Sequence, residues 1–402
     1  MAATLVSNIL EEYKCDANSS VHIKLVENEK DVFNKEKAFH PNMSHQIFGD
    51  SEVIFGYKNL EVQLYYHAGS LLTYLGIKYS AAVDKLSPVD IKPDDVISLV
   101  KKVLAPGHFS NLDQFLSKFP EEDKFTPMGE LIETFIVSEE TYQVYKAGIS
   151  TPRFKSYHER LQTFVLWYID AASFLDMDDS KWDFFLMFKK SSEVGITRFS
   201  IAGYTAVYRY YAYPDMKRPR ISQFLILPTF QKKGLGAKLL LAVDNHYTKD
   251  KKVLDMTVED PVNDFLRLRD YVDVLRCRSL PVFKPNYLCK GFSKEMVDQA
   301  RRKLKVNQHQ CRRVYEILRL GATNLNDPEE HRKYRLEIKK RLNAPFQKEK
   351  ADLKKLQRVL TADEYAAAVA NISQREQLNI LEENYRETIA EYKRILERVA
   401  AS

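Results

Sequence analysis

The chain has 402 residues and a formal net charge of +6, and its hydrophobic residues make up 45% of the sequence, with 13 Gly and 15 Pro. This composition excludes collagen-like, low-complexity and intrinsically disordered proteins, because it supplies ample apolar material for packed cores. At roughly 100–200 residues per domain, the length predicts two or three domains.

The charge is unevenly distributed along the chain. Residues 301–402 hold 23 Lys and Arg against 15 Asp and Glu, a balance of +8. The first 300 residues therefore hold 38 against 40, a balance of −2. A near-neutral body followed by a basic region indicates partners that differ between the two parts.

Residues 1–145 have the texture of a small α+β domain. Strand-like runs at Val21–Val26, Val53–Phe55 and Glu61–Tyr66 alternate with polar helical stretches such as Asp94–Leu104, and prolines separate them. The first 13 residues carry Glu11 and Glu12 inside their only apolar stretch, which does not fit a signal peptide.

The cysteines and the apolar runs indicate the compartment. Cysteines 15, 277, 289 and 311 form no CxxC pair, which is typical of reduced thiols in an intracellular protein. The longest apolar run, Phe164–Leu175, is interrupted by Asp170 and is shorter than the ~20 residues of a membrane span. We therefore expect a soluble protein of the cytoplasm or nucleus, with no membrane segment.

Residues 146–275 are rich in β-branched and aromatic residues, as strands prefer. Four strands are predicted, at Phe184–Phe188, Ile201–Tyr213, Gln223–Leu227 and Val253–Val258. The helix Ala237–Tyr247 is predicted between the last two strands. This order predicts a mixed β-sheet with helices on its faces.

Residues 276–402 predict an all-helical region, with helices at Ser293–Lys305, Asn307–Leu320, Pro328–Arg341 and Thr361–Val399. Asp327 is a predicted N-cap before Pro328, and Thr361 to Glu364 fits a capping box. In the last helix, apolar residues and tyrosines recur every three or four positions from Leu378 to Val399. Such a seam packs against a partner helix, either within the chain, in a hairpin with residues 328–360, or in a second copy.

The segment Gln231-Lys-Lys-Gly234-Leu-Gly236-Ala237 lies between a predicted strand and a predicted helix. Glycines at such a turn let the backbone approach a ligand, and the N–H groups of the helix N-terminus suit a phosphate or pyrophosphate. The pattern is neither GxGxxG nor a P-loop. A simple loop-closing turn is the alternative interpretation.

This Gln-x-x-Gly-x-Gly segment resembles the acetyl-CoA pyrophosphate loop of the GNAT N-acetyltransferases. A closer resemblance, spanning residues 48–319, is to the catalytic subunit of type B histone acetyltransferase. The segments that carry it are Phe48-Gly-Asp50, Phe55-Gly-Tyr57, Tyr157-His-Glu-Arg-Leu-Gln-Thr-Phe164, Arg218-Pro-Arg220-Ile-Ser-Gln223, Glu259-Asp-Pro261, Leu268-Arg-Asp270 and Arg312-Arg-Val-Tyr-Glu-Ile-Leu-Arg319.

The resemblance implies an overall organisation and a function. We expect an α+β protein with an N-terminal α+β domain at 1–145 that holds a histone-tail groove, a GNAT catalytic domain at 146–275 and a helical domain at 276–402. The family acetylates lysines in the N-terminal tail of newly synthesised histone H4 before chromatin assembly, by direct attack in a ternary complex. It works with a WD-repeat histone chaperone, and the resemblance implies a protein of both nucleus and cytoplasm.

The resemblance places the general base at Glu259, with Asp260 beside it. A carboxylate can take the proton from a lysine ammonium of pKa about 10.4, and Glu259 directly follows a predicted strand, where ligand crevices form. Alternatively, Asp260 caps a helix that starts at Pro261, and Glu259 favours the N-terminus of that helix. Asp170 aligns where the family can carry Glu and would assist proton removal; alternatively it is a lone charge on an apolar helix.

The resemblance implies acetyl-CoA as co-substrate. Its pantetheine arm would pair with the main chain of Phe224, Leu225 and Ile226, whose strand edge offers N–H and C=O groups. The pyrophosphate would be held by residues of the glycine-containing loop, namely Gln231, Lys232, Lys233, Gly234, Leu235, Gly236 and Ala237. The two lysines either add positive charge at the phosphates or are simply solvated. The sequence shows no cluster with metal-ligand spacing, so no metal is expected.

A basic, glycine-rich tail needs an acidic groove with flat walls. The residues that match tail-contacting positions of the family are Asp50, Glu52, Trp182, Tyr208, Arg209 and Tyr210. Core packing is the alternative for Trp182 and Tyr208. Asp176, Asp178 and Asp179 either add to the acidic field or belong to a solvated loop.

Three other functions remain open. The same chemistry could serve a polyamine, a small amine or a non-histone protein. The basic segment 301–358, with 18 Lys and Arg against 7 Asp and Glu, could make the chain a non-enzymatic chromatin or DNA scaffold. Cys277 could carry an acyl group in a ping-pong scheme, although no histidine stands at a recognisable partner position.

Overall fold

The computed structural model describes residues 10–85, 91–193, 195–356, 361 and 374–401. The chain forms two compact units, of which unit 1 comprises residues 1–211 and 218–246 and unit 2 comprises residues 212–217 and 247–402. Strands and helices both occur in unit 1, whereas the described part of unit 2 is mainly helical. The α+β fold class is therefore confirmed.

Unit 1 is built from short N-terminal elements followed by long strands. Its strands are Lys14–Asp16, Val21–Val26, Val53–Phe55, Tyr57–Lys58, Glu61–His67, Thr73–Lys78, Ala81–Ala82, Glu130–Val137, Glu140–Gly148, Trp182–Glu193, Ile196–Ala212 and Met216–Ile226. Its α-helices are Ala17–Ser20, Glu29–Phe33, His45–Phe48, Val96–Lys101, Leu112–Leu116, Phe119–Glu122, Phe154–Leu161, Val165–Tyr168 and Leu235–Thr248.

The last five of these strands belong to the central sheet, in which each strand lies beside its neighbour in the chain. Trp182–Glu193 pairs antiparallel with both Ile196–Ala212 and Glu140–Gly148. The five residues Phe184–Phe188 are all fully buried. Since successive side chains of a strand point to opposite faces, both faces of the sheet are covered there.

The N-terminal part of the chain contributes more to this sheet than the sequence predicted. Glu130–Val137 and Glu140–Gly148 pair with each other and extend the central sheet. The predicted boundary after residue 145 falls inside the second of these strands, and the one after residue 275 falls inside the helix Asn263–Cys277. The division into three domains remains a prediction.

A separate three-stranded sheet lies in the N-terminal part of unit 1. Val21–Val26 runs parallel to Glu61–His67, which runs antiparallel to Thr73–Lys78. The first two strands match predicted runs, whereas the third, Thr73–Lys78, was not predicted. One face of this sheet packs on a small aromatic core built from Val26, Val32, Tyr65, Tyr74, Phe115 and Phe119.

The helices of unit 2 surround one apolar core that includes Val274, Tyr315, Tyr334 and Tyr392. They span Asn263–Cys277, Pro285–Leu288, Lys294–Leu304, Gln308–Ala322, Pro328–Leu342, Ala344–Leu356 and Gln374–Ala400. Asp327 caps the helix at Pro328 through the N–H groups of Glu329 and Glu330, as predicted. No helix in the described ranges is long and apolar enough to cross a membrane.

The predicted strand Val253–Val258 is wrong over most of its length, because only Thr257–Val258 is a strand. Val253 and Met256 each form a single bridge, to Lys217 and Val306 respectively. The β-branched and apolar residues of this segment are held by main-chain and side-chain hydrogen bonds rather than by a continuous strand ladder.

The last helix begins, in its described part, at Gln374 and packs against three helices, Asn263–Cys277, Gln308–Ala322 and Pro328–Leu342. Tyr385, Tyr392, Ile395 and Val399 lie in the core of unit 2, whereas Leu378 is exposed. The intramolecular alternative is therefore confirmed for this seam, since the last helix packs against Pro328–Leu342 of the predicted partner segment and, in addition, against two helices that were not predicted as its partners. The predicted capping box after Thr361 lies outside the described residues.

Candidate active site

The predicted cofactor loop joins the strand Met216–Ile226 to the helix Leu235–Thr248. The helix begins two residues earlier than predicted, so Leu235 and Gly236 belong to its first turn. The amide of Lys238 donates to the carbonyl of Gly234 and closes that turn. The first N–H groups of a helix have no acceptor within the helix, so this turn suits an anionic group.

Backbone conformation explains the glycine of the loop. Gly234 has φ +79°, in the left-handed region, and Lys232 also has a positive φ of 59°. Gln231, Lys232, Lys233 and Gly234 are exposed, whereas Leu235 is buried and anchors the helix. The loop therefore presents its backbone and both lysines outward, as a pyrophosphate site requires.

Gln231 has a role that the sequence did not predict. Its side-chain amide donates to the main-chain carbonyl of Ile226, at 2.8 Å. This bond ties the loop back to the strand Phe224–Ile226. Gln231 thus engages one carbonyl of the strand that is expected to pair with pantetheine, and it fixes the start of the loop.

A second cluster of predicted residues forms around His45. The side chain of Glu52 accepts hydrogen bonds from the amides of Ser44 and His45 and from Asn18 Nδ2. These bonds, the Ser44 amide first, hold the pKa of Glu52 below its ordinary value. Glu52 therefore caps the helix His45–Phe48 through a left-handed turn, with a φ of 51° at Glu52 itself.

The imidazole of His45 lies between two predicted site residues. Its Nδ1 is 3.7 Å from Glu52 Oε1, and its Nε2 is 3.3 Å from Asp170 Oδ1. Asp170 follows the helix Val165–Tyr168 and has a side chain that is 71% exposed. It therefore lies at the surface, and the alternative of a lone charge on an apolar helix is wrong, because Asp170 lies beyond the helix and pairs with His45. Asp50 is exposed on the same turn as Glu52.

The segment 167–173 connects this cluster to the cofactor strand. The Trp167 carbonyl accepts from the amides of Asn42 and Met43, and the Ala172 carbonyl accepts from Gln46 Nε2. At its other end, the carbonyl of Ser173 accepts from Gln223 Nε2 at 3.1 Å, next to Phe224. Asp170 thus lies in a segment that contacts His45 and Gln46 on one side and Gln223 of the cofactor strand on the other.

The aromatic residues predicted for the tail form a third cluster. The ring centroids of Trp182 and Tyr208 are 4.9 Å apart, and those of Tyr208 and Tyr210 are 4.6 Å apart, both edge to face. The Tyr208 hydroxyl donates to Asp179 Oδ2 at 2.7 Å, a bond that raises the pKa of Tyr208. Trp182 and Tyr208 are both only partly buried, so simple core packing does not describe these two rings.

Trp182 and Arg209 line an open groove of about 740 Å³, together with Lys146, Lys155, Asp178 and Asp183. Asp183 is buried and pairs with Lys146 at 3.1 Å and with Arg209 at 3.2 Å. Arg209 therefore serves to neutralise a buried carboxylate as well as to line the groove. Asp178 pairs with Lys155, and Asp176 accepts from the amide of Asp178, so this acidic run is an ordered loop.

Glu259 and Asp260 lie in unit 2, in an exposed bend before the helix Asn263–Cys277. The main chain just before them is firmly held, because the Met256 carbonyl accepts from both Asn307 and Arg269, and its amide donates to the Lys305 carbonyl. The helix has Val262 as its N-cap, with no side-chain cap. The alternative in which Asp260 caps a helix starting at Pro261 is therefore wrong.

Two further expectations are settled by burial. Cys277 is fully buried in the core of unit 2, so it is not accessible to act as an acyl carrier. In the family-like segment 157–164, Tyr157, His158, Leu161 and Phe164 are buried, which assigns this motif to the core of unit 1. No group of side chains suited to a metal occurs within the described ranges.

Sequence reasoning missed His45, Gln223 and Asp183 as residues of these clusters. His45 precedes the quoted segment Phe48-Gly-Asp50 by three positions, and Gln223 ends another quoted segment. Their roles depend on contacts with residues more than a hundred positions away or on the register of the sheet. No local pattern carries that information.

Two family models match separate parts of the chain. The family model "Histone acetyl transferase HAT1 N-terminus" matches residues 13–170, and "Histone acetyltransferase type B catalytic subunit, C-terminal" matches residues 269–320. A histone acetyltransferase type B catalytic subunit of Homo sapiens is 43% identical over 401 residues, covering 98% of this chain and 96% of the relative. Relatives of the same description from Dictyostelium discoideum and Cryptococcus neoformans are 34% and 31% identical, covering 81% and 84% of this chain and 75% and 90% of their own.

Solved structures give weaker likenesses. The xEco2 acetyltransferase domain bound to a K105-CoA conjugate is 15% identical, covers 36% of this chain and 92% of its own, and has a TM-score of 0.25. An aminoglycoside acetyltransferase in complex with sisomicin is 18% identical, with coverages of 31% and 82% and a TM-score of 0.24. TM-scores this low carry no argument.

Proposed function

The chain belongs to the family of type B histone acetyltransferase catalytic subunits, and from this membership we propose that it transfers acetyl from acetyl-CoA to lysines in the N-terminal tail of newly synthesised histone H4. The observation that carries the proposal is 43% identity over 98% of the chain to a relative of that description. The cofactor loop and the cluster at Glu52 and Asp170 support it from unit 1.

Acetyl-CoA is the proposed co-substrate. The first turn of the helix Leu235–Thr248 offers N–H groups to the pyrophosphate, and Lys232 and Lys233 add positive charge beside it. Phe224, Leu225 and Ile226 offer main-chain groups to the pantetheine arm. We propose no metal for the reaction, because a carboxylate base suffices for acyl transfer from a thioester.

Glu259 is the proposed general base. It takes a proton from the lysine ammonium, directly or through a water, and the neutral amine then attacks the thioester carbonyl carbon. The C–S bond breaks, acetyl-lysine forms, and coenzyme A leaves as a thiolate that takes up a proton. Asp260 and Asp170 are proposed to assist proton removal, and the firm hold on Met256 supports Glu259 in this role by fixing the chain from which it projects.

The tail is proposed to contact Asp50, Glu52, Trp182, Tyr208, Arg209 and Tyr210. For Glu52, the hydrogen bonds it accepts from the Ser44 and His45 amides indicate that it orders the start of the helix His45–Phe48 as well as adding negative charge. Histone H4, free or with its histone partner, and a WD-repeat histone chaperone are the proposed partners, and nucleus and cytoplasm the proposed compartments. These proposals rest on the family alone.

The basic residues of unit 2 favour a structural role over a DNA scaffold. Arg312 and Arg341 pair with Glu316, Arg313 pairs with Asp270, and Lys339 pairs with Glu382. Four of these basic side chains are thus held in ion pairs with carboxylates of the same unit. We propose that the rest is mainly solvated, with DNA as a minor partner at most.

The acceptor is tested by direct comparison of two cationic substrates. Initial rates of acetyl transfer are measured for a synthetic H4 tail peptide and for spermidine at matched concentrations. The proposal predicts a kcat/KM roughly 100-fold higher or more for the peptide, because the peptide can contact more of the proposed tail-binding residues than spermidine can. A preference for spermidine would replace the proposed acceptor by a small amine.

A further inference from the structure

His45 is the residue that physically joins two predicted site carboxylates of unit 1. Among the residues that the structure describes, it is the one polar partner of the Asp170 side chain, at 3.3 Å from Nε2 to Oδ1. Its Nδ1 faces Glu52 Oε1 at 3.7 Å. His45 is half-buried, so its ring is held in place while its two edges face the two carboxylates.

The local fold fixes the direction of the His45 side chain. His45 is the first residue of the helix His45–Phe48, and its amide is capped by the carboxylate of Glu52 at 3.0 Å. That carboxylate is itself held by Ser44 and Asn18. The backbone at His45 is therefore anchored by the same group that borders its ring.

The segment that carries Asp170 is anchored on both sides of it. Trp167 before it and Ala172 after it accept hydrogen bonds from Asn42, Met43 and Gln46. The Asp170 side chain itself is 71% exposed and has no such hold apart from His45. Among the described residues, the His45 imidazole is thus the polar group that borders this exposed carboxylate.

We propose that His45 is a positioning residue for acetyl transfer, which holds the carboxylate of Asp170 so that Oδ2 can accept a proton from the acceptor lysine through a water. The proposal rests on the proposed function, in which Asp170 assists proton removal. A fixed partner restricts the carboxylate to one direction, which favours proton transfer because catalysis by a proton acceptor depends on geometry before it depends on pKa.

A purely stabilising role for this contact is a poor alternative. An ion pair in which one partner is mostly exposed contributes little to stability, since water screens it and side-chain entropy opposes it. Removal of the ring should therefore change turnover far more than the melting temperature. The two readouts separate positioning from folding.

The test is a double-mutant cycle on the full-length protein, with the H4 tail peptide and with spermidine as acceptors. The variants are His45→Ala, Asp170→Asn and the double variant, with His45→Gln as the conservative variant and His331→Ala, an exposed histidine of unit 2, as the control. We expect His45→Ala and Asp170→Asn each to lower kcat roughly 10-fold, a small share of the 10²–10⁴ that general-base catalysis supplies. The KM for acetyl-CoA and the melting temperature should stay near their wild-type values.

The decisive result is the double variant. If His45 acts through Asp170, the double variant is no slower than Asp170→Asn alone, and His45→Gln, which keeps an N–H donor, recovers most of the rate. The inference would be overturned if the kcat losses of the two single variants multiplied in the double variant, or if His45→Ala kept the wild-type kcat. If the wild type acetylates spermidine but not the peptide, the proposal of a histone-tail acceptor is wrong. The coupling between His45 and Asp170 can still be measured in that case, with spermidine as the acceptor.

Discussion

His158 lies in an aromatic surrounding that suits only its neutral form. Its ring centroid is 4.5 Å from that of Phe184 and 5.5 Å from that of Phe154, and it is fully buried. Neither ring nitrogen has a hydrogen-bond partner among the described residues. Burial lowers the pKa of His158 to about 4.

This pKa makes His158 a source of acid instability. The unfolded chain, with a histidine pKa near 6.5, binds more protons than the folded chain between about pH 6.5 and pH 4, so stability falls as pH falls through that window. A shift of this size corresponds to about 3 kcal/mol. Between pH 7 and pH 4, the free energy of unfolding of His158→Phe should fall by about 3 kcal/mol less than that of the wild type, because the variant lacks this titrating group. The measurement is urea unfolding at each pH.

The exposed His331 provides the control for that experiment. His331→Phe should follow the wild-type pH dependence, because the His331 side chain is exposed to solvent in the folded protein. Equal slopes for His158→Phe and the wild type would show that the imidazole of His158 is hydrated or paired in the folded protein.

Gly203 is required by the close approach of two strands. A Cβ at this position would lie 2.6 Å from the Leu225 carbonyl oxygen and 3.1 Å from Ile226 Cα. Gly203→Ala should therefore displace the strand proposed to pair with pantetheine and weaken acetyl-CoA binding by about 10-fold or more, measured by calorimetry. A Cβ at Gly148 meets nothing within 4 Å, so Gly148→Ala should bind acetyl-CoA normally. Unchanged binding in Gly203→Ala would contradict the assigned role of Leu225 and Ile226.

At the residue scale, sequence reasoning named Glu52 and Asp170 as site residues but not the residues that they contact. Glu52 was predicted as a tail contact, yet its carboxylate bends back to cap a helix because the chain adopts a left-handed turn at Glu52. That turn cannot be seen in a pattern of residue types. His45 was missed because its second partner, Asp170, is 125 positions away in the chain.

At the scale of elements, a buried carboxylate joins three helices of unit 2. Glu316 is fully buried and accepts hydrogen bonds from Arg312 of its own helix, from Arg341 and from the Tyr392 hydroxyl. The structure therefore gives the segment Arg312–Arg319, one of those that carry the family resemblance, a role in packing the helices. It supplies the charge pair that fixes the helices Pro328–Leu342 and Gln374–Ala400 against Gln308–Ala322.

Glu316→Gln should destabilise unit 2 by about 2–3 kcal/mol, since it leaves buried donors facing a neutral amide. Glu329→Gln, which removes an exposed pair with Lys333, should cost less than about 1 kcal/mol. Circular dichroism at 222 nm follows mainly the helices of unit 2, whereas both tryptophans, Trp167 and Trp182, lie in unit 1. A Glu316→Gln transition that matches the wild type by circular dichroism would contradict the network.

For the helices that were predicted, most of the described ends lie within about two residues of the prediction. Caps such as Asp327 and Asn307 are local signals, which explains this agreement. The strand Val253–Val258 failed for the opposite reason. Its residues are held by Lys305 and Asn307, about 50 positions later, through hydrogen bonds to Val253 and Met256. The strands Glu130–Val137 and Glu140–Gly148 were not predicted, because strand pairing is set by the whole sheet.

At the scale of the whole molecule, charge and family resemblance had unequal value. The +8 balance of residues 301–402 predicted an anionic partner but named no residue that binds it, and the basic side chains Arg312, Arg313 and Arg341 are held in ion pairs within unit 2. The resemblance, by contrast, was confirmed over nearly the whole chain by relatives of the same description. Net charge describes a surface average, whereas ordered motifs constrain individual positions.

The central claim is histone tail acetylation with Glu259 as base. It is tested by mass spectrometry of an H4 tail peptide after incubation with acetyl-CoA and either the wild type or Glu259→Gln, with Glu329→Gln as a matched control. We predict acetyl-lysine in the wild type and control, a kcat lower by roughly 10²–10⁴ in Glu259→Gln, and unchanged acetyl-CoA binding. Near-normal turnover by Glu259→Gln, or no acetyl-lysine with the wild type, would contradict the account.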